Sequence, residues 1–230
     1  MESTELPGNP PVTVALRRSA RARRFSLRVS RLDGRVTLTV PVRARMGDAL
    51  DFVRMQEGWI RRHLAAMPTC EMVSPGSVIP VEGRMLRVTP ADVRVATIGG
   101  DALLIPGRGA PGPRVAGFLR ALARDRLAQA CDRHAADLGK RYTTLALRDT
   151  RSRWGSCSDG GRLMFSWRLV MAPPEILDYV AAHEVAHLVE MNHSPAFWAV
   201  VKRLCPDWMG HRTWLRAEGH RLHQYVFAST

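Results

Sequence analysis

The chain has 230 residues and a mass of 25.7 kDa, enough for one large domain or two small ones with a real core. Hydrophobic residues make up 46% and charged residues 24%, a globular balance that excludes wholesale disorder. The formal charge is +13, and all but Lys140 and Lys202 of the 34 basic residues are arginine. Such a balance attracts polyanions without choosing among nucleic acid, anionic membrane and acidic protein.

No apolar run approaches the roughly eighteen residues that span a bilayer, so no membrane span is expected. The opening MESTELPGNPP lacks a basic and an apolar segment, so no secretory signal is expected either. Cys70, Cys131, Cys157 and Cys205 are scattered and form no CxxC pair. Free thiols in a reducing, cytoplasmic setting are the simplest reading.

Residues 1–11 read as a flexible tail. Residues 12–106 read as a β-rich N-terminal region with one helix. Within it Phe25, Leu27 and Val29, then Val36, Leu38 and Val40, alternate with polar residues around Asp33-Gly34, which predicts a hairpin with one polar face. The spacing of Leu50, Val53, Trp59, Ile60 and Leu64 predicts a helix over 47–66, with Asp48 as N-cap or first-turn acid. Strand-like pieces follow at 78–81, 86–89, 93–98 and 103–105. The run GRGAPGP at 107–113 reads as a linker, and 114–230 as a second domain.

That second part opens on a helix over 114–138, with Gly139 as its C-cap. Strands are expected at 145–147 and around 163–167, across the turn Ser158-Asp159-Gly160-Gly161. Pro173-Pro174-Glu175 opens a helix of about sixteen residues. Ser194-Pro195 opens another reaching about Leu204, with Ser194 as N-cap. A last helix is expected over roughly 210–223.

The chemistry lies in His183-Glu184-Val185-Ala186-His187, an HExxH motif inside the Pro174 helix. Chance produces it in about one such chain in a hundred. Histidines four apart share a helix face, so both imidazoles reach one ion. Glu184 is then placed to take a proton from water without ligating the metal. A buried glutamate between two histidines would otherwise be costly.

A third ligand must come from elsewhere. On a straight helix His193 would point away, so the chain has to leave the helix between Leu188 and His193. Asn192, in a left-handed conformation, would allow this, and Ser194-Pro195 then restarts a helix. The spacing matches HExxHxxGxxH with Glu190 in the glycine position, and no Met-turn is evident. Glu190, His211, His220 and His223 are rival ligands. Three protein ligands would leave a fourth position open, as in a catalytic zinc site.

Other features admit two readings each. Trp154, Trp167, Trp198, Trp208 and Trp214 form either an aromatic platform or core packing around the site; packing is favoured. Cys157 reads as either a metal ligand or redox switch, or a buried strand thiol, the last being favoured, and Gly155 as a close backbone approach or a bulge. Residues 1–70 hold 13 arginines against 6 acidic residues. Arg17, Arg18, Arg21, Arg23, Arg24, Arg28 and Arg31 form an acid-free cluster, read as either a weak nucleic-acid-binding patch or a charged edge strand kept from aggregating.

Arg151-Ser152-Arg153-Trp154-Gly155-Ser156-Cys157-Ser158, Trp167-Arg168-Leu169 with Ala172-Pro173-Pro174, Tyr179-Val180, HExxH, Asn192-His193-Ser194, Phe197-Trp198, Pro206-Asp207 and Trp214-Leu215 together resemble the YgjP-like metallopeptidases, relatives of the SprT and WLM-domain zinc peptidases. The strong match covers about 148–217. The resemblance implies an α+β fold: a minimal zincin-like core with the HExxH helix beside a small antiparallel sheet, preceded by a β-rich region. It implies one zinc ion on His183, His187 and His193, Glu184 as catalytic acid/base, and a protein or peptide substrate. It also implies that the strand bearing Trp154–Cys157 runs near the cleft, where an extended peptide can pair with an edge. Arg153, the Trp154 and Gly155 backbone, and His211 are candidates for stabilising the oxyanion. Hydrolysis of nucleotide phosphoanhydrides and DNA-recruited proteolysis are the alternative functions.

Overall fold

The computed structural model describes residues 2–30, 34–65 and 70–228. The chain divides into two compact units, 1–69 and 70–230.

In the first unit, alternation along the strands creates a sheet with one apolar face. Its strands are β1 (Ser3–Leu6), β2 (Val12–Ser19), β3 (Ser26–Val29) and β4 (Val36–Pro41), in the order β1-β2-β4-β3. β2 and β4 are parallel, and the outer pairs are antiparallel. Val14, Leu16, Val36, Leu38 and Val40 point inward. Helices α1 (Met46–Met55) and α2 (Glu57–Ala65) cover them with Ala49, Val53 and Ile60. Each fully buried aliphatic contributes about 1.5–3 kcal/mol.

Two expectations change here. Residues 3–6 are not tail: β1 pairs with β2 from Ser3↔Ala15 to Leu6↔Val12 and buries Leu6, so the β2 edge satisfies its backbone. The single helix expected over 47–66 is two, because Gln56 leaves helical geometry at φ −94° and ψ 6°. Of the two roles open to Asp48 it takes that of first-turn acid, the N-cap position being Arg45. The expected β3–β4 hairpin forms, with Val29↔Val36; Asp33 of its turn, like Arg31, lies outside the described residues.

The second unit begins with β5 (Glu71–Met72), which pairs in parallel with the C-terminal β13 (Tyr225–Val226). Strands β6 (Val78–Val81), β7 (Arg84–Ala91), β8 (Thr97–Gly99) and β9 (Ala102–Pro106) form a sheet in the order β6-β7-β9-β8. Glu82 and Gly83, both at positive φ (48° and 76°), make the two-residue turn between β6 and β7.

One apolar face of this sheet needs a cover, and α3 (Pro111–Asp137) supplies it. Ile79, Leu86, Val88, Leu103 and Ile105 share a core with Val115, Leu119 and Leu127. The segment 107–113 therefore does not separate two units. Pro111 lies in the first turn of α3, and a Cβ on Gly112 would come within 3.0 Å of the Phe227 backbone. The division falls after residue 69 instead. As expected, Gly139 (φ 63°) closes α3, with Lys140 N–H donating to Ala135 and Gly139 N–H to Ala136.

The sheet that carries the site consists of β10 (Thr144–Arg148), β11 (Gly155–Cys157) and β12 (Arg162–Ser166), in the order β10-β12-β11. It is mixed rather than antiparallel: β10 runs parallel to β12, and β11 antiparallel. A buried 3-10 segment, Trp167–Met171, leads to α4 (Pro174–Ala186), then α5 (Pro195–Leu204) and α6 (Trp208–Glu218). α4 is 13 residues long, shorter than expected. The last expected helix stops at Glu218 and tightens into a 3-10 turn over Gly219–His223. No helix of the described residues is long and apolar enough to cross a membrane.

Candidate active site

α4 is buried on almost every side because Ile176, Val180, Ala181, Ala182, Val185 and Ala186 surround its polar stripe. His183 and His187 lie one turn apart on that stripe, ring centroids 5.3 Å apart. After Ala186 the chain tightens, with Leu188 N–H donating to Val185 and Val189 N–H to Ala186. Asn192 is not left-handed. Its side-chain oxygen accepts from Ser194 N–H at 3.0 Å, and Ser194 Oγ accepts from Phe197 N–H at 3.3 Å to cap α5. These two side-chain bonds make the turn that swings His193 back.

His193 Nε2 lies 3.1 Å from His183 Nε2, and its ring is 4.9 Å from that of His187. One nitrogen from each imidazole falls within a 4.8 Å cluster. Two nitrogens on a tetrahedral zinc at about 2.0–2.1 Å stand about 3.3–3.4 Å apart, so the donor set fits such an ion. His187 Nδ1 bonds the Glu190 carbonyl at 2.9 Å. That bond makes Nδ1 the protonated nitrogen and leaves Nε2 its lone pair. The Glu190, His211, His220 and His223 side chains are not in this cluster among the described residues.

Burial, then the neighbouring His187 and His193 and the charge of Arg212, pushes His183 down to about 3. Burial also lowers His187, against the opposing Glu190 bond. Neutral imidazoles are the form that binds metal. Beneath all three lies fully buried Phe197, its ring 4.9, 4.4 and 4.8 Å from those of His183, His187 and His193.

Glu184 points to the other neighbour of α4, strand β11. Burial raises its carboxyl to about 8, with the Arg153 charge opposing. Gly155 is the residue it meets: a Cβ there would lie 2.6 Å from Glu184 Cγ. β11 is an edge strand. Ser166 N–H donates to Trp154 and Ser158 N–H to Arg162, so the even-numbered residues bond β12. The N–H and C=O groups of Gly155 and Cys157 consequently point away from β12. Burial, then Glu184 and Asp159, raises the nearby Cys157 thiol to about 11, that of an inert strand thiol.

The other candidates are dispersed. Arg153 is exposed and reaches Glu184 only through its charge. The Trp154 ring packs on His223 at 5.2 Å and against Gly219, which makes it a packing residue. His211 lies 6.3 Å from the Tyr179 ring and outside the triad. Trp167 is buried, and the other tryptophans of this half pack against the core.

Sequence reasoning named Tyr179 as part of a motif without giving it a place at the site, and missed Arg212. Tyr179 is buried, its ring 6.0 Å from that of His183; its position four residues before His183 was the available signal. Arg212 lies over Trp198 at 4.8 Å and Trp208 at 5.9 Å, and those indoles stack on each other at 4.4 Å. No local pattern announces that stack.

The model of the YgjP-like metallopeptidase domain matches residues 23–218. Among solved structures, the crystal structure of the metallopeptidase zymogen of Pyrococcus abyssi abylysin is similar, with 20% identity, a TM-score of 0.36, and coverage of 40% of this chain and 92% of that one. No curated protein matches at a significant level. With residues 23–218, most of its length, matched by that family's domain model, the chain belongs to the YgjP-like metallopeptidases.

Proposed function

We propose that the chain is a zinc-dependent peptidase in which His183, His187 and His193 hold one zinc ion and Glu184 is the general base. The observation that carries this reading is the convergence of three imidazoles beside one buried carboxyl. When bound, zinc supplies Lewis acidity that makes water an effective nucleophile near neutral pH. The ionised form of Glu184, favoured by the positive charge of a bound zinc against the burial that raises its carboxyl, takes the proton of the attacking water and delivers it to the leaving amide nitrogen. Its burial against Gly155 restricts it to one position, which is what proton transfer at a fixed site requires.

The substrate is an extended peptide that adds to the open edge of β11 through Gly155 and Cys157. That pairing brings its scissile carbonyl beside Glu184, because Gly155 touches Glu184.

The test is Glu184→Gln. This variant should keep one zinc per chain by metal analysis and lose casein hydrolysis by about 100-fold or more. Undiminished hydrolysis by the variant, or an active wild-type protein free of metal, overturns the reading.

A further inference from the structure

We propose that the open face of the N-terminal sheet is a nucleic-acid-binding surface that grips the phosphate backbone. The face opposite the helices is built from the alternate residues of β2, β3 and β4. Apart from Ala15 and Pro41, these are all serine, threonine or arginine. Arg17 on β2 and Arg28 on β3 lie on it, registered against Thr39 and Thr37 of the strand between them. Arg21, Arg23 and Arg24 extend the patch along the β2–β3 connection, and all five arginines are exposed.

Charge is segregated within this unit. Among the described residues, Glu2 and Glu5 lie at β1, the edge of the sheet away from β3, where Glu5, registered against Thr13, is on the open face but at the margin opposite Arg28. Asp48, Asp51 and Glu57 lie on α1 and α2, against the opposite face. None of Arg17, Arg21, Arg23, Arg24 or Arg28 pairs with a carboxylate among the described residues, whereas Arg54 and Arg61 on the helices pair with Asp51 and Glu57.

Edge protection explains only part of this arrangement. A charge on an edge strand blocks sheet-to-sheet pairing, and Arg28 on β3 fits that role. Arg17 sits on an interior strand and Arg21, Arg23 and Arg24 on no strand, so protection gives them nothing to do. Guanidinium groups bind phosphate in a bidentate fork, and hydroxyls between them donate to phosphate oxygens. A membrane surface would call for apolar side chains beside the charges, and the outward strand positions offer only Ala15 and Pro41.

The test uses the full chain and a fluorescein-labelled DNA duplex of about 30 base pairs, followed by anisotropy between about 50 and 200 mM KCl. The wild-type protein should bind with an affinity that falls steeply with salt. Replacing Arg17, Arg23, Arg24 and Arg28 together by Gln should weaken binding by about 10- to 100-fold and flatten the salt slope by about 3 to 4. The same four positions changed to Lys should recover most of the binding, which also reports that the surface is intact. Arg54→Gln with Arg62→Gln, on the helix side, should change affinity by less than about 2-fold. Three results overturn the proposal: no duplex binding at the lowest salt, equal losses in the two Gln variants, or flotation with phosphatidylserine vesicles without duplex binding.

Discussion

Gly155 stands so close to Glu184 that a Cβ built on it would lie 2.6 Å from both Cγ and Oε1 of the carboxyl side chain. The edge strand and the HExxH helix therefore meet at a point where no side chain other than hydrogen fits. Glu184 is 7% exposed, so a methyl group on residue 155 has to push it aside. Gly155→Ala should leave zinc content unchanged and lower kcat/KM by about 10- to 100-fold, since a displacement near 1 Å at the base is enough for that. Metal analysis with a casein assay checks it; full activity in the alanine variant would show that the contact is tolerated.

His193 reaches the triad only because Asn192 and Ser194 shape the turn. His193→Ala should weaken zinc binding by at least about 100-fold, read by competition with a chelator. Ser194→Ala, which removes only the α5 cap, should cost about 1 kcal/mol of stability and far less zinc affinity. Equal zinc affinity in the wild-type and His193→Ala proteins would point to a different third ligand.

Arg168 ties the C-terminal segment to the site sheet. Its guanidinium holds Asp149 at 2.7 and 3.1 Å and donates to the Leu222 and Tyr225 carbonyls at 2.9 and 3.0 Å. It also lies 4.7 Å over the Trp167 ring. Arg168→Ala strands two buried carbonyls and should cost about 2–4 kcal/mol, read from the urea midpoint. Arg168→Lys should rescue only part, because one ammonium cannot replace a planar fork.

Asp178 links α4 to α3 through Arg133 and through His134 Nε2 at 3.0 Å. Burial alone would raise its carboxyl, but the bonds and charges of His134 and Arg133 outweigh it and hold it below the ordinary carboxylate value. A depressed folded-state value adds stability above the unfolded value of about 3.9, and that stability is lost as pH falls through the folded value. Asp178→Asn should therefore cost about 1–3 kcal/mol at pH 6 and progressively less below about pH 4. Urea titrations across that range check it; a gap that widens in acid would contradict the assignment.

Much of the site's local geometry was legible. The four-residue spacing of His183 and His187, the prolines opening α4 and α5, the Ser194 cap and the Gly139 closure all act within one or two turns, so residue type decides them. Longer-range features were not. The sequence 107–113 looks like a linker because Gly and Pro mark both loops and helix starts. Only the apolar face of β6–β9 shows that α3 must pack directly against it. Ser3–Leu6 carries no strand alternation of note, and it becomes a strand because β2 offers an unpaired edge.

Sequence by itself determined the donor types and the helix face on which two of them stand, since these follow from 3.6 residues per turn. It also determined where arginine accumulates. Tertiary structure decided which histidine completes the triad, because His211, His220 and His223 differ from His193 only in where the chain carries them. It likewise decided that Gly155 faces Glu184, a contact between segments almost thirty residues apart that no local rule encodes. The pairing of β2 with β4 in parallel, which leaves Arg17 on an interior strand, was set the same way. Local chemistry is written in residue order, while convergence depends on burying apolar faces against one another, and that is solved only by the whole chain.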